Sequence, residues 1–210
     1  MLAVAAAAQT WTFDGGSEGW QGRDLSSYTE TGVPSEVQWN PAGGASGGYI
    51  SKFDPSDRTY FLEAPITAGS DYSSFIGGSL TFSLRSDFND WANDNVVILR
   101  GVTGGNLTTI VSTVPLPDPT STWLSYSVDL EADNFHLGSR GGSAPSATQF
   151  AEIMGSLSTF MLPAEFGNGV KETTGIDSVS FTAIPEPSTY AAIIGALALG
   201  VVTLRRYRRR

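Results

Sequence analysis

His136 is the single histidine, so at most one imidazole-based catalytic group exists in this chain. Gly44-Ala-Ser46-Gly-Gly48 matches the G-x-S-x-G pattern of a nucleophile elbow. An elbow needs a strand before its serine and a helix after it. Here the serine lies in a glycine-rich loop that runs into another β-type stretch, so the match is a chance one and no catalytic residue is assigned. His136, between Phe135 and Leu137, reads as a packing or hydrogen-bonding residue rather than a base or metal ligand. Carboxylates are plentiful enough to assemble a glycosidase pair, yet their spacing nominates none. Asp87, Asp90 and Asp94 lie among Asn89, Asn93 and Asn95, but without the D-x-[DN]-x-[DN]-G spacing or closing Glu of a calcium loop. That stretch therefore reads as a solvated loop. Trp91 within it is the tryptophan best placed to stack on a sugar ring, with packing as the alternative. Trp11 and Trp123 begin β-type runs and read as core residues. Asp177 alternates in step with Val179 and Phe181, which predicts a carboxylate on the core side of a strand. Such a group needs a partner, either backbone N–H donors or a cation.

The elements that must position these residues are strands. Ser79–Arg85 alternates cleanly with Leu80, Phe82 and Leu84 on one face, and Trp123–Leu130 puts Leu124, Tyr126, Val128 and Leu130 opposite Ser125, Ser127 and Asp129. Further runs are Thr10–Phe13, Glu36–Trp39, Tyr49–Phe53, Thr59–Glu63, Val96–Arg100, Leu107–Val114, Leu157–Leu162 and Ile176–Thr182. Gly, Pro, Asn and Asp clusters separate them. One helix is predicted over about Ala147 to Met154. Ser146 and Gln149 form an S-x-x-Q capping box, with Phe150, Ile153 and Met154 facing inward. About ten short strands and one helix describe an all-β protein, a jelly-roll-like β-sandwich. No βαβ alternation, fixed repeat or second domain is visible.

Residues 9–183 hold 7 Lys and Arg against 20 Asp and Glu, a net charge of −13. An acidic body of this kind repels the phosphate backbone, so nucleic acid is excluded as a partner. With no cysteine, disulfides and thiolate metal sites are excluded too. Residues 1–8 are small and apolar, and Ala6 and Ala8 fit an A-x-A cleavage site, so they read as the remnant of a signal peptide. At the other end, 184–189 form a stiff linker containing Pro185, Glu186 and Pro187. Residues 190–204 carry no charge and predict a C-terminal transmembrane helix; fifteen residues rise about 22 Å against a hydrocarbon core of ~30 Å. Tyr190 suits one interface, while Arg205, Arg206, Arg208, Arg209 and Arg210 suit the other and mark a cytoplasmic stop.

Pro185-Glu186-Pro187, the short apolar helix and the terminal arginines together resemble the PEP-CTERM sorting signal. That resemblance implies export, an exosortase partner, a transient inner-membrane anchor, and release to the surface of an exopolysaccharide-producing cell. The body resembles the laminin B domain, also called laminin domain IV type A. The match runs through Tyr60-Phe-Leu-Glu-Ala-Pro65, Tyr72–Leu84, Asn95-Val-Val-Ile-Leu99, Trp123-Leu-Ser-Tyr126 and Gly175-Ile-Asp-Ser-Val-Ser-Phe181. Phe13-Asp-Gly-Gly-Ser-Glu-Gly-Trp20 is similar to the first strand of carbohydrate-binding jelly-roll modules. In such modules the first and last strands lie side by side, which implies that Asp14 and Asp177 hold a structural Ca²⁺. Backbone N–H donors remain the alternative for Asp177.

These readings describe an exported surface or matrix protein that binds polysaccharide or another surface component and is not an enzyme. An exopolysaccharide lyase or hydrolase using carboxylates, and a structural matrix protein without a ligand, are the competing classes.

Overall fold

Alternation of apolar and small polar residues folds this chain into two antiparallel sheets that face each other. The computed structural model describes residues 8–54, 59–88, 96–113, 116–167 and 170–184. Its strands are β1 (Ala8–Trp11), β2 (Gln21–Leu25), β3 (Val33–Ser35), β4 (Gln38–Asn40), β5 (Tyr49–Asp54), β6 (Thr59–Glu63) and β7 (Ser79–Ser86). They continue as β8 (Ile98–Thr103), β9 (Asn106–Ser112), β10 (Leu124–Asp129), β11 (Phe135–Leu137), β12 (Thr159–Pro163) and β13 (Glu172–Thr182), with helix α1 (Ala147–Met154) before β12. The first sheet runs β10-β7-β13-β5-β4, and the second β11-β9-β8-β12-β6-β2-β3. The eleven residues of β13 make it the backbone of the first sheet. It pairs with β7 along one edge, and with β5 and then β1 along the other. The first and last strands are therefore neighbours, with Trp11 opposite Val179.

The core fills the space between the sheets. Leu80, Phe82, Leu84, Ile176 and Phe181 come from the first sheet, and Leu62, Leu99, Ile110, Phe160 and Leu162 from the second. At its centre Phe160 meets Phe181 edge-on with ring centroids 4.9 Å apart, and Trp11 meets Trp20 in the same way at 5.5 Å. Such pairs add about 0.5–1.5 kcal/mol beyond burial. The predicted helix forms with its capping box: Ser146 Oγ accepts from Gln149 N–H, and Gln149 Oε1 accepts from Ser146 N–H. Phe150, Ile153 and Met154 are buried, as their spacing predicts.

The outer faces of the two sheets differ. That of the second sheet carries its own apolar cluster of Leu25, Phe61, Val96, Ile98, Val111 and Met161, with Tyr28 laid against it. That of the first sheet is lined mainly by Ser, Thr, Gly and a few larger side chains.

Three strands escape the alternation: β2, β3 and β11, each five residues or fewer. A more consequential difference concerns Asp177. The register of β13 on β7 slips between Asp177 and Ser180, where three steps on β13 oppose two on β7. The extra residue is Ser178, whose φ of 54° is left-handed. This bulge reverses the alternation. Val179 and Phe181 face the core, whereas Asp177 pairs with Ser83 on the outer face. It is nevertheless fully buried, because the loop before β5 folds over it. Among the described residues no helix is long and apolar enough to cross a membrane. The segment predicted to do so, with Pro185, Glu186, Pro187 and the arginine cluster, lies outside the described residues, as does Trp91.

Candidate functional site

The open outer face of the first sheet is built by register. Gln38, Ser51, Gly175 and Arg85 are successive cross-strand partners on β4, β5, β13 and β7, so they form one row across the sheet. Trp123 immediately precedes Leu124, the partner of Leu84, and so stands at the end of that row beside Arg85. Tyr49 lies one row away on β5, and Phe53, 52% exposed, on the other side opposite Thr173.

Gly175 makes the arrangement possible. A Cβ there would lie 3.0 Å from Trp123 Cη2 and 3.3 Å from Arg85 Cγ and Nε, so both side chains lie across the glycine. Tyr49 and Trp123 meet edge to face at 5.3 Å. The Arg85 guanidinium carbon sits 4.8 Å from the Tyr49 ring centre and 4.9 Å from that of Trp123. Arg85 Nη2 donates to the Tyr49 hydroxyl at 2.7 Å, and Trp123 Nε1 donates to the Gly43 carbonyl at 2.9 Å. All three side chains are half-buried, so each keeps an accessible part. Beside them, Ser51, Arg85, Ser86, Asp87, Thr173 and Gly175 bound a depression of about 310 Å³. Asp87 is tied to its floor, its carboxylate accepting from Thr173 N–H at 2.6 Å. Aromatic surface beside hydroxyls suits a ligand with C–H faces and O–H edges, because the rings cover the former and the hydroxyls bond the latter.

Trp123 was expected in the core and is not there. It shares the alternation of Ser125, Ser127 and Asp129, the solvent side of β10, and that parity was the available signal. Nothing in the sequence signalled Tyr49 or Arg85, which register alone brings to Trp123. Trp11 is buried in the core as expected.

The two carboxylates expected to hold Ca²⁺ both meet a single loop, Gly43–Gly48. Asp177 Oδ2 accepts from Ser46 N–H at 2.8 Å, and Oδ1 from Ser178 N–H at 2.6 Å. Asp14, exposed, accepts from Gly48 N–H at 3.5 Å. The loop closes on itself through Gly44 N–H to Gly47 O at 3.0 Å. Burial lifts the Asp177 carboxyl above its ordinary range, against the opposing pull of the amides of Ser46, Ser178 and Ala45. Gly48 O, Asp177 Oδ2 and Gly47 O lie 2.5, 2.7 and 3.0 Å from the point where a Gly44 Cβ would stand, a small oxygen-lined cradle. The described residues contain no group of three or more His, Asp or Glu side chains that could hold a metal.

Ser46 contributes its backbone to this loop between two strands, not to an elbow. His136 lies on β11 of the other sheet, where its Nδ1 contacts the Arg140 carbonyl at 2.5 Å. The residues of a serine triad are therefore not brought together.

A family model for Laminin B (Domain IV) matches residues 68–192. No curated protein matches the chain. Among solved structures, the L4b domain of human laminin alpha-2 superposes with a TM-score of 0.64 at 12% identity, covering 87% of this chain and all of that one. A family 11 carbohydrate-binding module from Clostridium thermocellum, solved with a β-1,3-1,4-mixed-linked tetrasaccharide, gives 0.55 at 13%, covering 87% and 99%. A family 30 carbohydrate-binding module from a Clostridium thermocellum cellulosomal cellulase gives 0.52 at 9%, covering 88% and 97%. At these identities the likeness is one of fold.

Proposed function

This chain belongs to the Laminin B (Domain IV) family, and from that premise we propose that it is a non-catalytic binding module whose outer first-sheet face engages polysaccharide. The observation that carries the reading is the Tyr49–Arg85–Trp123 group laid across Gly175 beside an open, hydroxyl-lined depression. A buried structural cluster would not leave these side chains half-exposed on a bare sheet face. The fold shared with carbohydrate-binding modules supports the same reading, as does the contrast with the second sheet, whose outer face is closed by apolar residues.

The tail supplies the setting. In this reading Pro185, Glu186 and Pro187 are the sorting motif read by an exosortase, residues 190–204 hold the precursor in the inner membrane, and the arginines at 205–210 stop transfer. The mature protein then acts at the cell surface or in an exopolysaccharide matrix. Trp91 belongs to the proposal as an additional stacking residue. Ca²⁺ belongs to it as a structural ion at the Gly43–Gly48 loop, where Asp14, Asp177 and the loop carbonyls would supply oxygen donors.

Affinity electrophoresis of the purified protein against a panel of polysaccharides tests the binding role. Saturable retardation by at least one polymer, with no reducing ends released, is expected. Release of oligosaccharide products would instead identify an enzyme, and absence of both would leave a structural protein.

A further inference from the structure

The charge at the centre of this face narrows the ligand. Among the described residues one ion pair is present, Arg23 with Glu63 at 2.5 Å. Lys52 donates to the Glu36 carbonyl and lies over Tyr60, while Arg100 is buried against the Tyr28 carbonyl. Arg85, half-buried, stands on the open face itself, and among the described residues it too has no carboxylate within ion-pair distance. Two aromatic rings hold it in place. A guanidinium has five N–H donors in a planar fork that matches a carboxylate. One is spent on the Tyr49 hydroxyl, and Arg85 is also among the residues that line the 310 Å³ depression. Asp87, the nearest acid on that rim, has one oxygen committed to Thr173 N–H.

We propose that the face reads an acidic sugar, the carboxylate of a uronate residue pairing with Arg85 while its ring packs against Tyr49 and Trp123. The assignment rests on the polysaccharide reading above and names its ligand class. The net charge of −13 over residues 9–183 repels a polyanion at long range, so recognition depends on this local pair rather than on a general basic patch. A short pair set between two rings is screened less than exposed charges are. Retention therefore persists as salt rises from 50 to 300 mM, whereas simple ion exchange fades.

The test uses the full-length protein, with polygalacturonate and alginate as acidic probes and the same polymers after reduction of their carboxyl groups to alcohols. At least one acidic polymer should bind roughly tenfold or more tighter than its reduced form. Arg85→Gln should abolish that preference, and Arg85→Lys should lose most of it, since the charge survives but the planar fork does not. Thermal melting of both variants confirms that they fold. Equal binding of acidic and reduced polymers, or an unchanged preference in Arg85→Gln, overturns the acidic-sugar assignment while leaving the polysaccharide reading in place. Failure to bind these probes while a neutral glucan is retained overturns the assignment likewise. Failure to bind any polysaccharide overturns both.

Discussion

Replacing Gly175 by alanine adds one methyl group to the centre of the proposed site and nothing to the core. The new carbon would stand 3.0 Å from Trp123 Cη2 and 3.3 Å from Arg85 Nε, inside the normal 3.5–4.0 Å separation of packed carbons. Trp123 would have to swing away by about 0.5–1 Å, as measured against that normal separation. What resists the swing is one hydrogen bond to Gly43 O, worth about 1 kcal/mol, and contacts with Arg85 and Tyr49 worth about 0.5–1 kcal/mol each. Losing one or two of these contacts lowers ligand affinity by roughly 1–2 kcal/mol, about 5- to 30-fold. Stability moves little. Gly175 lies in a strand without a positive φ, so alanine gains about 0.4–1 kcal/mol from reduced unfolded-chain freedom, offsetting the strain. Binding by affinity electrophoresis and melting by calorimetry, on the same preparation, separate the two effects. Unchanged affinity in a normally melting Gly175→Ala protein would refute the site. A collapse of the melting temperature would refute the claim that Gly175 serves the face and not the fold.

Other expectations concern the framework. Asp177→Ala leaves the part-buried amides of Ser46 and Ser178 without their acceptor and should cost about 1–3 kcal/mol, lowering the melting temperature by several degrees. EDTA should lower the wild-type midpoint and added Ca²⁺ restore it if the loop holds an ion; an unchanged midpoint would sink the ion and leave the amides as the whole explanation. Glu172 is pushed up to about 7, first by burial and also by the neighbouring Asp54, against the amides of Phe166 and Gly167 and the Ser86 hydroxyl. Between the ordinary 4.5 and about 7 the folded protein keeps a proton that the unfolded chain has released, so stability falls as pH rises through that window. Glu172→Gln should therefore melt higher than wild type at pH 8 and lose that advantage by pH 5; a pH-independent difference would contradict the cause given. Phe181→Ala, at the aromatic centre of the core, should cost about 3–5 kcal/mol in denaturant titration, and a loss below 1 kcal/mol would mean the core is not packed as described.

Period-two alternation exposes a strand only when it is long enough to repeat. Thus β7 and β10 were legible with the correct faces, whereas β2, β3 and β11 show too few alternating positions. The helix was legible because its cap is local chemistry: Ser146 and Gln149 need only each other. Asp177 shows where the logic fails. A one-residue bulge at Ser178 reverses every face beyond it, and Ser is not a residue whose presence announces a left-handed backbone. Asp14 and Asp177 each accept from a backbone amide of one loop, next to where β1 pairs with β13. The aromatic site was not read from the sequence. The serine neighbours of Trp123 carried its orientation, a signal that the core reading passed over, and its meeting with Tyr49 and Arg85 depends on three strands distant in sequence.

The most direct measurement compares wild type and Trp123→Ala for equilibrium retention on one polysaccharide that the wild type binds saturably. Trp123 touches the core little, so the variant should melt within a few degrees of wild type. We expect its affinity to fall at least tenfold, with Tyr49→Ala falling in parallel. Undiminished retention in a folded Trp123→Ala protein would place the binding surface elsewhere and contradict the account.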